Sequence, residues 1–118
     1  MVGALYQYLM TQVFPAAIRN DAKLVATTNA FKGAIEFRGE ELHFTLPALF
    51  DFLIAQMPDW PTQEKAARRR DYLRFRKIIY KNPTNETLGK QGAEVEIATL
   101  MEDHERTVYR LVRIPRPV

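Results

Sequence analysis

The sequence predicts an α+β protein in which helices are combined with two antiparallel β-hairpins. Apolar residues recur at helical spacing near the N-terminus and through the middle of the chain, whereas residues 34–46 and the segment after Gly92 show strand-like alternation. Helical and strand-like segments occur in groups, which favours antiparallel pairing. With 118 residues, of which 47% are hydrophobic, the chain suits one core, so we expect a single small domain over 1–118.

The N-terminal region is predicted to be helical. Residues 3–14 place apolar side chains on one face, and we expect this helix to end near Pro15, because proline disrupts a helix interior. Residues 16–31 fit either a second helix or a strand around 24–28, and we favour the helix.

Residues 34–46 predict the first hairpin. Two runs of alternating apolar and polar residues flank a polar turn at 38–41, which indicates one buried face. Alternation places His43 opposite Leu42 and Phe44. We therefore expect a solvent-facing or edge position for this histidine rather than a catalytic one.

A nearly continuous apolar helix is predicted at 47–57, with Thr45 as its cap and Pro47 in its first turn. A helix that is apolar all round is either central or covered by a partner. Asp51 interrupts the apolar run, and its pKa would be raised if it were buried without a partner. We favour a surface position or a salt bridge to an arginine.

Two polar helices are predicted next. Thr62 is expected to cap a basic helix over about 63–81. Asn82 and Pro83 then begin a short helix over about 83–91, and Gly92 suits the left-handed position that ends it.

The C-terminal segment predicts the second hairpin, with strands at 95–99 and 108–114. Glu102, Asp103, His104 and Glu105 lie between the strands. These four residues carry metal-ligand atoms, but adjacent residues cannot all point one way, so a polar loop is favoured. The tail at 115–118 cannot extend a central strand, because it contains two prolines.

Charge is distributed unevenly along the chain. The formal net charge is +3, yet residues 65–81 contain eight basic residues and one acidic residue, while the rest of the chain holds 9 basic and 13 acidic residues. The protein is therefore a mildly acidic body that carries one strongly basic helix. Such asymmetry is typical of proteins that contact polyanions.

Helical spacing gathers four of these cations into one stripe. Taking Ala66 as zero, Lys77, Arg70, Lys81 and Arg74 fall at about 20°, 40°, 60° and 80°, and the apolar residues lie nearly opposite. Phosphate is the anion that this stripe predicts, because Arg offers bidentate contacts. The nucleic-acid-binding candidates are Arg70, Arg74, Lys77 and Lys81, assisted by Arg68, Arg69, Arg76 and Lys90. The alternatives are a solvated face, neutralisation by acids elsewhere in the chain, and an acidic protein partner.

Two further interpretations remain open. The three helices followed by a hairpin resemble a winged helix in element order only, and the acidic loop at the tip of such a wing would repel DNA. A second interpretation is a homodimer or protein-interaction module built on the apolar helix, with Trp60 and Phe52 at the interface. Trp60 could instead cover the core beneath its linker, which we favour.

The composition excludes several kinds of chemistry. The chain contains no Cys and no Ser, which removes disulfides, thiolate metal sites and nucleophiles of both types. It has two His, and its carboxylates Glu36, Glu94 and Glu96 are isolated, so we expect no metal site and no cofactor. No signal peptide or membrane span is apparent. We therefore expect a cytoplasmic, non-enzymatic binding or regulatory protein that does not engage membranes.

Overall fold

The computed structural model describes residues 2–114 and confirms the α+β class. The elements follow in the order α1 (Val2–Tyr8), a π-helical segment (Leu9–Val13), α2 (Phe14–Ile18), α3 (Ala22–Ala30), β1 (Ile35–Arg38), β2 (Glu41–Phe44), α4 (Leu46–Ala55), α5 (Lys65–Lys81), α6 (Thr84–Gly89), β3 (Ala93–Thr99), a 3-10 turn (His104–Arg106) and β4 (Val108–Arg113). The tail predicted at 115–118 lies outside the described residues.

The sequence predicts that the first helix ends near Pro15. This prediction is wrong, because the helical segment continues to Ile18. Pro15 is the second residue of α2. The π-helical segment comes directly before this turn, and the Phe14 N–H group donates to the Leu9 carbonyl five residues earlier. This wider turn joins α1 and α2 into one continuous helical segment over residues 2–18, which we call the N-terminal rod.

The ambiguous segment at 16–31 contains α3, so the favoured helix is confirmed. The Asp21 carboxylate caps α3 by accepting a hydrogen bond from the Leu24 N–H group at 3.0 Å. Near the other end of α3, Asn29 Oδ1 accepts from the Phe37 N–H group of β1. That contact fixes α3 against the first hairpin.

The two hairpins join into one antiparallel sheet with the strand order β1-β2-β4-β3. Gly39 makes the β1–β2 turn with φ of 62°, a conformation that glycine adopts readily. The sequence predicts a solvent-facing or edge position for His43. This prediction is wrong, because His43 is only 8% exposed. His43 lies on an interior strand and pairs with Glu36 on one side and Arg110 on the other, so neighbouring side chains cover it.

Helix α4 lies in the centre of the core rather than beneath a partner. The predicted cap is confirmed, because the Thr45 hydroxyl accepts from the Ala48 N–H group. Phe50 of α4 contacts the rings of Tyr72 and Phe75 of α5, with both centroid distances at 5.6 Å. Its buried residues are Leu46, Ala48, Leu49, Phe50, Phe52 and Leu53.

Three predicted helix ends are wrong. Helix α5 begins at Lys65 after Glu64, so Thr62 is not its cap. Asn82 ends α5 by donating from its side chain to the Ile78 carbonyl at 2.8 Å, and does not begin the next helix. Gly92 has the expected positive φ of 76°, but it precedes β3 rather than ending α6. The sequence does not determine the exact residues at which these helices begin and end, because several polar residues near each end are suitable caps.

Candidate functional site

Helix α5 separates an apolar face from a charged one. Tyr72 and Phe75 are 4% and 0% exposed and pack against the core. On the outer face lie four exposed cations, which we call the cationic stripe: Arg70, Arg74, Lys77 and Lys81. The predicted amphipathic character of this helix is therefore confirmed.

Three of the other α5 cations approach two carboxylates of the protein. Arg68 donates to the Asp51 carboxylate at 2.7 Å, which confirms the expected salt bridge for Asp51. Arg69 forms an ion pair with Glu105, and Arg76 approaches the same carboxylate at 3.8 Å. These contacts hold the acidic loop against α5, so the loop lowers the positive charge on this flank of the helix.

Tyr72 lies beneath the same flank. The guanidinium groups of Arg69 and Arg76 stand 5.4 and 5.8 Å from the centroid of its ring, within the range of cation–π attraction. Burial raises the pKa of Tyr72 to about 12, and the Glu105 charge adds to that shift. A hydrogen bond to Glu105 raises the pKa of Arg69. The flank is thus a structural cluster in which the phenol stays neutral and the guanidinium stays charged.

The cationic stripe has almost no internal neutralisation. Arg74 comes within 3.9 Å of Asp71, but that carboxylate also accepts a 2.7 Å hydrogen bond from Gln63. Within residues 2–114, no carboxylate lies within 4.0 Å of the side-chain nitrogens of Arg70, Lys77 or Lys81. The stripe is therefore a surface of one sign.

Helix α6 contributes little to this face. The Thr84 hydroxyl bonds to Tyr6 at 3.0 Å, and the Asn85 side chain bonds to both backbone groups of Val95. These polar groups stabilise the protein itself instead of standing free for a ligand. Lys90 is exposed at the C-terminal end of α6.

The residues considered for a protein interface are mostly buried. Phe52 is 1% exposed and packs edge-on against Phe31, which removes it from any surface a partner could reach. Trp60 packs partly buried against the core and donates to Gln63 at 3.2 Å, as the favoured interpretation expects.

The acidic loop forms a structured turn. Asp103 caps the 3-10 turn by accepting from the Glu105 N–H group, and the Glu105 side chain faces α5. In the part of the chain that the structure describes, no group of three acidic or His side chains is placed to hold a metal ion. The sequence did not indicate the role of Glu105, because its arginine partner is 36 residues away.

Comparison with known protein families, with curated proteins and with solved structures finds no match to this chain. Over residues 2–114, no helix is long and apolar enough to cross a membrane.

Proposed function

We propose that the protein binds polyanions, nucleic acid in particular, through the cationic stripe of α5. The observation that carries the proposal is the division of charge on this helix. Asp51 and Glu105 hold Arg68 and Arg69 in ion pairs, and Glu105 also approaches Arg76 at 3.8 Å. Among the described residues of the stripe, only Arg74 approaches a carboxylate, at 3.9 Å.

Electrostatics within the helix support this proposal. Arg70 and Arg74, and likewise Lys77 and Lys81, are separated by one helical turn, where like charges destabilise a helix. An anion on the stripe would relieve the repulsion. The four side chains span roughly 16 Å along the helix axis, which corresponds to about five base-pair steps of duplex DNA.

The mode of binding that we propose is contact with phosphates rather than reading of base edges. A winged-helix mode would need a helix with free polar side chains for the bases, but Thr84 and Asn85 of α6 are engaged within the protein. The stripe, by contrast, offers charge without a fixed pattern of donors and acceptors. We therefore expect weak discrimination among sequences.

The alternative of a protein-interaction module on the apolar helix gains no support from the packing. Its side chains fill the core, and Phe52 is buried. A cytoplasmic location would suit contact with nucleic acid and forms part of the same proposal.

The experiment is a fluorescence-anisotropy titration of the protein with random duplex and single-stranded DNA at several salt concentrations. Four phosphate contacts predict a slope of about −3.6 for log affinity against log salt on duplex DNA, or roughly 150-fold weaker binding at about 200 mM than at about 50 mM salt. Binding that does not weaken with salt would contradict the proposal, and so would an absence of binding at the lowest salt.

A further inference from the structure

An apolar cavity of about 510 Å³ opens between the N-terminal rod, the end of α5 and the sheet. Its floor consists of core side chains that are almost fully buried: Leu9, Phe14, Phe44, Leu46 and Leu49. Its mouth includes Tyr80 and Ile97, which are 57% and 51% exposed. A volume of this size is typical of small-molecule sites, which are concave and mostly apolar.

The π-helical segment shapes one wall of this cavity. Leu9 and Phe14 both line it, and the Phe14 N–H group bonds to the Leu9 carbonyl. In an α-helix, residues five apart point about 140° away from each other. The wider π turn instead brings both side chains to one side. Single π-helical turns of this kind occur frequently at functional sites.

A pair of hydroxyl groups supplies the polar feature of the cavity. The hydroxyl oxygens of Tyr80 and Tyr109 lie 3.3 Å apart, so one proton bridges them and the other is free to meet a ligand. Burial, with the bond to Tyr80, raises the pKa of Tyr109, which keeps its phenol neutral.

The charges around the cavity select against anions. The charged residues that line it are Glu86 and Glu96, and Glu96 is paired with Arg110 at 2.5 Å. No cation lines the cavity among the described residues. An anionic ligand would meet the Glu86 carboxylate, and Arg110 beside the cavity is already paired with Glu96, whereas an uncharged ligand would meet no repulsion.

The neighbouring sheet edge is poorly suited to an added peptide strand. Asn85 already occupies the N–H and C=O groups of Val95 on the open edge of β3, with distances of 2.7 and 3.0 Å. The pairing of β3 is then irregular between Ile97 and Thr99. Both features interrupt the row of free backbone groups that strand addition requires.

We propose that this cavity binds a compact, uncharged and largely apolar organic molecule, with one hydrogen-bonding group directed at the Tyr80–Tyr109 pair. The site shares no residue with the cationic stripe, and so the proposal stands independently of nucleic-acid binding.

The test uses Nile red, an uncharged apolar dye with a carbonyl acceptor, and anilinonaphthalene sulfonate, an anionic one. Nile red should bind with a blue shift and bind more tightly than the anionic dye. Ile97→Asp, which places a carboxylate at the mouth, should raise the Nile red dissociation constant on the order of tenfold. Tyr109→Phe removes one hydroxyl of the pair and should raise the Nile red dissociation constant about 2- to 10-fold.

The matched control is Leu100→Asp, which makes the same charge change on a nearby, more exposed residue that does not line the cavity. It should leave the dissociation constant unchanged. An equal loss in this variant would overturn the proposal, because it would indicate adhesion to exposed apolar surface. The proposal would also be overturned if both dyes bound equally well, or if Nile red did not bind at all. A third contrary result would be a dimer in light scattering that Ile97→Asp dissociates. The occupant of the cavity would then be a second copy of the chain.

Discussion

Replacing Arg74 and Lys77 together by Gln isolates what the cationic stripe contributes to binding. Both side chains are exposed, and neither takes part in packing of the apolar face of α5. The substitutions lower the formal net charge from +3 to +1. Because Gln is a good helix former, we expect α5 to remain intact.

The magnitude follows from the number of phosphates that are neutralised. Each contact contributes about 0.9 to the salt slope, so removing two of four contacts should change the slope from about −3.6 to about −1.8. The loss of affinity between about 50 and 200 mM salt then falls from roughly 150-fold to roughly 12-fold. Affinity at the lower salt concentration should also fall, since counterion release drives the association.

The matched control is Arg68→Gln with Arg69→Gln, which makes the same change in net charge. These two cations are paired with Asp51 and Glu105, and we expect their loss to leave the slope near its wild-type value. Both variants should be titrated with the same labelled duplex, with circular dichroism to verify the fold. Equal slopes in the two variants would refute the reasoning, because the whole-protein charge rather than the stripe would then govern binding.

Two predictions concern stability. Thr45→Ala removes the hydroxyl that accepts from the Ala48 N–H group, and should lower the free energy of unfolding by about 1 kcal/mol in urea denaturation, while an unchanged midpoint would show that water replaces the cap. Tyr72 should make the protein less stable as the pH rises from about 10 to about 12, because the unfolded chain ionises near its usual pKa while burial raises the folded pKa to about 12. Tyr72→Phe should flatten this part of the stability curve, and a curve that this variant leaves unchanged would contradict the assignment.

The sequence predicts several elements well, because short-range patterns determine them. The first hairpin alternates over a few residues, and Thr45 lies directly before an apolar run that includes Pro47. His43 shows where such patterns fail. Alternation identifies the face of the strand but not the neighbouring strands, and here β1 and β4 on both sides cover a residue expected to be exposed.

The candidate sites divide in the same way. The amphipathic character of α5 follows from helical periodicity, so the order of residues along the chain is enough to predict the cationic stripe. The cavity has no such signal, because its walls come from Leu9, Phe44, Tyr80 and Ile97 on separate elements. The π-helical segment, which contributes Leu9 to the cavity wall, is likewise not indicated by any pattern in the sequence.

Local patterns in the sequence are sufficient for the α+β class, the two faces of α5 and the contrast between a basic helix and an acidic body. Which cations are free depends instead on tertiary packing. Arg69 meets Glu105 from 36 residues away and Arg68 meets Asp51 from 17, while Arg70 and Lys77 meet no carboxylate in the described chain. Periodicity acts over one or two helical turns, but ion pairs and cavities depend on how distant elements pack, and that packing is a property of the whole core.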